Sequence, residues 1–161
     1  NALCFRYGGY VDRLITWGQV DTIMTGDRAV EECKSRSLLR CCVDATGIGA
    51  GVSPHMRRNG CNAVAVKVAS KPTKSVELGE FALLRDEGWW NVREWLRTDP
   101  GAMLPPDEDL IEELLCPTYE ISNGKIQVMK KTAMRDLHKR SPDRADALCI
   151  TLFEPELLFN L

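Results

Sequence analysis

The stretch "LLRCCVDATGIGAGVSPHM", residues 38–56, decides how the rest of the chain is read. A mostly apolar run ends on one carboxylate, Asp44, and then breaks into glycines at 47, 49 and 51. The run reads as a strand buried in a sheet, followed by a tight turn and a short helix that stops at Asn59-Gly60. Sheets of α/β proteins gather their ligands at the carboxyl ends of strands, and glycines let the backbone turn sharply beside such a place. Asp44 is therefore a candidate site residue. The alternative is an aspartate that merely caps the next helix. "GIGAG" is spaced GxGxG rather than GxGxxG, and the acid precedes the turn instead of lying ~20 residues beyond it, so a dinucleotide loop matches poorly.

Before this stretch, residues 1–20 read as two strands joined at Gly8-Gly9. A helix follows to about Ser35, opened by the capping region Thr25-Gly26-Asp27. After it, "NAVAVKVAS" reads as a β-branched strand, and a longer helix is expected from Val76 to Arg97, bent near Gly79 and Gly88. A short acidic helix is expected from Asp107 to Leu115, and a hairpin turning at Asn123-Gly124. A basic helical stretch, "TAMRDLHKR", leads to a last helix in "SPDRADALCITLF", with Ser141 as N-cap, Pro142 at its first position and Pro155 beyond its end. The order is mixed α/β, without repeats or low-complexity linkers.

The 161 residues suffice for one domain with a real core. A net charge of −2 excludes a globally basic nucleic-acid binder, so such a partner would need a local basic patch or a metal. The seven cysteines are odd in number and form no CxxC pair, which fits neither a zinc cluster nor a disulfide framework; they read as small apolar residues in a reducing compartment. No apolar run approaches the ~18–20 residues that span a membrane, so no membrane partner is expected.

The last helix is nearly all apolar after Arg144, yet it carries Asp146 between two alanines. A carboxylate there is costly to bury unless a cation compensates it. Asp143 lies at i−3, on roughly the same face, where the helix dipole alone would favour an acid. Carboxylates converging from a strand end and a helix start, without histidine or cysteine, suit hard cations such as Mg²⁺ or Mn²⁺. Two such ions can drive phosphodiester hydrolysis. The densest basic stretch holds Lys130, Lys131, Arg135, Lys139 and Arg140, the best candidates for phosphate contact. Arg57 and Arg58, and the lysines 67, 71 and 74 around a loop, are further candidates. His55 and His138 read as surface residues, and Trp89, Trp90 and Trp95 as helix core rather than base-stacking groups.

"VDATGIGAGV", "FALLRDEGWW" and "KIQVMKKTAMRDLHKRSPDRADAL" together resemble the C-terminal nuclease domain of bacteriophage terminase large subunits, over nearly the whole chain and in the family's order. The resemblance implies a ribonuclease H-like mixed sheet flanked by helices. It implies a divalent-metal-dependent endonuclease that cuts duplex DNA concatemers during packaging, with Mg²⁺ or Mn²⁺, two ions in the complete site. Asp44 and Asp146 would be catalytic metal ligands, Asp143 an auxiliary ligand or water-orienting group, and Lys131 a neutraliser of phosphate charge. Lys130, Arg135, Arg57, Arg58 and Lys71 would contact DNA. Implied partners are double-stranded DNA, a terminase ATPase domain in cis, the small subunit and the portal, in the host bacterial cytoplasm of a phage or prophage. The family's first catalytic aspartate lies on a strand with no counterpart here. Residues 1–161 are therefore expected to form one nuclease domain truncated at its N-terminus, weakly active or inactive alone. Two readings of other classes are a nucleotide-binding α/β module and a non-catalytic packaging-assembly domain.

Overall fold

In a computed structural model, residues 1–18 and 20–153 are described; Pro155 lies outside them. The first hairpin pairs β1 (Ala2–Tyr7) with β2 (Tyr10–Thr16), with a register shift between Phe5 and Arg6. α1 (Thr22–Ser35) starts three residues earlier than the capping region read from the sequence, because Asp21 accepts the Met24 N–H and caps it. β3 (Cys41–Asp44) then runs parallel to β4 (Ala63–Val66). The two are joined by a 3₁₀ turn, Gly47–Gly51, and by α2 (Val52–Arg58). This is a right-sized crossover for a parallel pair.

The helix expected from Val76 to Arg97 is only partly present. Its first third forms β5 (Ser75–Val76) and β6 (Gly79–Phe81), and the helix α3 runs Leu84–Thr98. Gly79 has φ +135°, a conformation no helix accommodates, and Asp86 accepts the Leu83 N–H to open α3. After α4 (Glu108–Leu115), β7 (Tyr119–Ser122) and β8 (Lys125–Val128) turn at Asn123-Gly124, both with positive φ. These strands join the previous two in a sheet of order β5-β6-β8-β7. α5 (Lys131–His138) and α6 (Asp143–Thr151) complete the described chain.

The main core lies where α3, α4, α5 and α6 close over the first hairpin, around Val11, Trp89, Trp95, Leu110, Met134 and Leu148. The three tryptophans expected in the core are buried there or against the β5–β8 sheet. A second cluster, Ala29, Cys33, Val52, Met56 and Ala63, seals α1 and α2 onto the parallel pair. All seven cysteines are free thiols, two buried and five half-buried. Among the described residues no helix is long and apolar enough to cross a membrane.

β1 and β3 both rest on α6 but are not paired with each other. Asn1 exchanges both backbone bonds with Trp17, so alternation of the antiparallel ladder turns the backbone groups of Ala2 and Cys4 away from β2. Cys41 and Ala45 donate to Asn62 and Val66, so Cys42 and Asp44 face away from β4. Two open edges thus border one groove, floored by Ala147 and Ile150 of α6.

Candidate functional site

The groove ends, beside Asp44, in a cavity of about 360 Å³. Asp44, Asp143, Asp146 and Lys131 all line it, so residues 102 positions apart in the chain share one wall system. Arg85, Gly88 and Trp89 of α3 close another side.

Asp44 is exposed at the last position of β3, and its Oδ1 accepts the Thr46 N–H at 2.9 Å. The turn-forming reading of this residue is thus realised for one oxygen. The turn itself depends on glycine: a Cβ on Gly49 would lie inside the van der Waals envelope of the Asp44 carbonyl oxygen. The glycines of "GIGAG" act sterically, folding the chain back onto the strand end.

The last helix starts at Asp143 and not at Pro142, which has φ −76° and ψ 53° and stands outside it. Ser141 is therefore not its N-cap, and Asp146 lies in the first turn, where the dipole favours it more than the sequence reading allowed. Pro142 offers no side-chain cap. That function comes from another helix: the buried carboxylate of Glu113 on α4 accepts the Ala145 N–H at 2.9 Å. Arg144 is tied to Asp107 and Asp109, so α4 fixes the start of α6 from two sides.

Lys131, at the start of α5, reaches across to both acids, 2.7 Å to Asp146 and 3.4 Å to Asp143. Attraction to these carboxylates outweighs its burial and holds the ammonium above its ordinary pKa. Burial pushes the Asp143 carboxyl up, but hydrogen bonding from Ser141 and the charge of Lys131 act against it, and the net direction is downward. Lys131 thus already offsets part of the charge of the acids of α6. Among the described residues no three His, Cys, Asp or Glu side chains form a ready-made metal cage. The donor set nevertheless fits a hard cation: carboxylate oxygens only, with an ammonium now standing between two of them.

The other sequence candidates do not line this cavity. Lys130, Arg135, Arg58 and Lys71 are exposed and form no ion pair among the described residues. Arg57 donates to the Ala63 carbonyl, bracing β4. Arg140 is occupied by Asp109 and Glu112 and is withdrawn from the basic stretch. The histidines are not simple surface residues. His55 joins Asp27 at 2.7 Å, bridging α2 to α1, and His138 joins Glu112. Sequence reasoning missed Arg85, Glu113 and Glu87, whose roles come from tertiary neighbours.

No protein-family model matches the sequence, and neither does any curated protein. Solved structures do. The nuclease domain of the large terminase subunit gp2 of bacterial virus Sf6 superposes with a TM-score of 0.75 at 21% identity, covering 94% of this chain and 81% of that one. A lysine-to-alanine mutant of that domain with manganese gives 0.75 at 20% identity, over 94% and 82%. Its counterpart with calcium gives 0.75 at 21%, over 94% and 81%. The chain has the terminase nuclease fold. At this identity the likeness concerns the fold, which is the ribonuclease H-like arrangement that the motifs implied. Within the terminase nuclease fold of this chain, the β3 end, the start of α5 and the start of α6 meet at the acid-lined cavity.

Proposed function

We propose that residues 1–161 form the nuclease domain of a phage or prophage DNA-packaging terminase, a divalent-metal-dependent endonuclease acting on duplex DNA. The observation that carries this reading is the meeting of Asp44, Asp143 and Asp146 with Lys131 on one cavity of a terminase nuclease fold. Asp44 and Asp146 would hold Mg²⁺ or Mn²⁺, with Asp143 beside them, and the bound ions would activate water and stabilise the leaving oxygen of a phosphodiester. This chain's own contribution is positional. The Gly49 turn sets Asp44, and α4 fixes the start of α6 with its two acids. Lys131 balances their charge and is close enough to meet a phosphate. Lys130 and Arg135 on α5 would contact the DNA backbone, with Arg58 and Lys71 as further exposed cations and Arg57 chiefly a brace. The setting is the host cytoplasm. The partners are the terminase ATPase domain, the small subunit and the portal.

The test combines binding and cleavage. Millimolar Mn²⁺ or Mg²⁺ should raise the melting temperature by mass action, and should support plasmid cleavage once a strand bearing the family's first catalytic aspartate is placed ahead of Asn1. Asp44→Asn and Asp146→Asn should abolish both effects. A metal-induced shift and cleavage that survive in the double variant refute the assignment.

A further inference from the structure

Glu87 is among the most buried side chains of the protein, 2% exposed, yet it lies outside the acid cavity and has no cationic partner among the described residues. An ionised carboxylate so placed must be held by hydrogen bonds. Among the described residues, all the bonds its carboxylate accepts come from one loop. The Thr73 N–H and hydroxyl donate at 2.5 and 2.6 Å, and the Lys74 N–H at 3.3 Å. The same loop is fastened at its other end. Ser70 N–H closes a turn on Lys67, and Leu84 and Arg85 of α3 donate to Ser70 and Val68. Residues 67–76, "KVASKPTKSV", carry three lysines and no acid. Lys67, Lys71 and Lys74 are all exposed, and none forms an ion pair among the described residues. The base of the loop, Val68, and the helix it is tied to, through Arg85 and Gly88, also line the acid cavity.

We propose that Glu87 is a positioning residue for a polyanion: it clamps the 67–74 loop so that its three lysines stand as a fixed cationic rim beside the acid cavity. This rests on the reading of the chain as a DNA-acting nuclease, and duplex DNA is the polyanion it would serve. A lysine on a loose loop loses chain entropy when it meets a phosphate, whereas a clamped loop has lost that entropy on folding. The threonine hydroxyl matters because it uses the second carboxylate oxygen, giving the clamp two points of attachment.

The experiment measures duplex-DNA affinity by fluorescence anisotropy across salt concentrations, for the whole chain. Glu87→Gln and Glu87→Ala should weaken binding roughly three- to tenfold and flatten the slope of log K against log salt by about 0.9 for each phosphate that the lysines no longer neutralise. In a background already carrying Lys67→Ala, Lys71→Ala and Lys74→Ala, the same Glu87 changes should have no further effect, because the clamp acts only through those lysines. Hydrogen exchange of residues 70–75 should quicken in the Glu87 variants while that of α6 stays as it was. Equal losses with and without the loop lysines overturn the proposal, since that is the behaviour of a general structural defect. DNA binding that is indifferent to Glu87 overturns it alone. A wild-type chain that binds no duplex overturns it together with the nuclease reading.

Discussion

Replacing Glu113 by alanine would remove the acceptor that α4 lends to the first turn of α6. The Ala145 N–H would then be buried without a partner, and Arg140 would lose one of its three acids. An unsatisfied buried donor costs about 1–3 kcal/mol, and the loss of a helix cap is of the same order. For a chain of this size such a change lowers the melting temperature by roughly 2–4 °C per kcal/mol. Glu113→Gln keeps an acceptor for the amide and should stay within about 1 kcal/mol of the parent at neutral pH. The pH dependence separates the two further. Burial raises the Glu113 carboxyl above its ordinary value of 4.5, against the opposing pull of the Ala145 amide and of Arg140 and Arg144. The folded state therefore binds more protons than the unfolded one in that window. The stability linked to this group is fully present below pH 4.5 and is lost as pH rises through the folded value. Urea unfolding of the three proteins between pH 4 and pH 8 should show this decline in the parent and its absence in both variants. If Glu113→Ala is as stable as the parent, or Glu113→Gln is as damaged as the alanine, the trans-capping account of α6 is wrong.

Arg135→Ala should weaken DNA binding alike for all sequences and reduce the salt slope by about 0.9. Lys131→Ala should change that slope less, because its ammonium is engaged by Asp143 and Asp146, but should enlarge the melting shift produced by Mn²⁺; equal slopes for the two variants would contradict this division. Gly49→Ala should destabilise the fold by about 1–3 kcal/mol and blunt the response to metal, since its Cβ collides with the Asp44 carbonyl. Gly18→Ala, with open space around it, should lie within about 0.5 kcal/mol of the parent, and a similar cost at both positions would refute the steric account.

What can be read from the sequence is local. Asn123-Gly124 announces its hairpin because both residues must take positive φ, and the structure has them at +51° and +72°. Asp44 is legible because an apolar strand rarely ends on a lone acid before glycines. The segment from Val76 to Phe81, "VELGEF", reads wrongly as helix, because six residues are too few to set a period and its pairing with Lys125 and Ile126 is a long-range event. The start of α6 slips by a residue because Ser-Pro looks like a cap, whereas the capping oxygen comes from α4. Glu87 and Glu113 look like ordinary helix acids. Only tertiary burial distinguishes them from a solvated helix acid such as Glu112.

Along the groove between β1 and β3 no ladder joins the two edges among the described residues, so side-chain packing carries the link across it. Among the described residues, the antiparallel ribbon and the parallel pair are joined by packing alone: β1 and β3 both rest on α6, Leu3 packs into the cluster of α1 and α2, and Arg36 at the end of α1 reaches Asp12 and Phe5 of the ribbon. The amides of Ala2, Cys4, Cys42 and Asp44 point into the groove and should exchange with solvent deuterium far sooner than those of Leu3 or Val43 in the same strands. The acid cavity lies at that seam, with Asp44 on the parallel pair and Asp143 and Asp146 on the helix. A ligand held by Asp44 and by the acids of α6 together therefore also fastens the parallel pair to the helix beneath it.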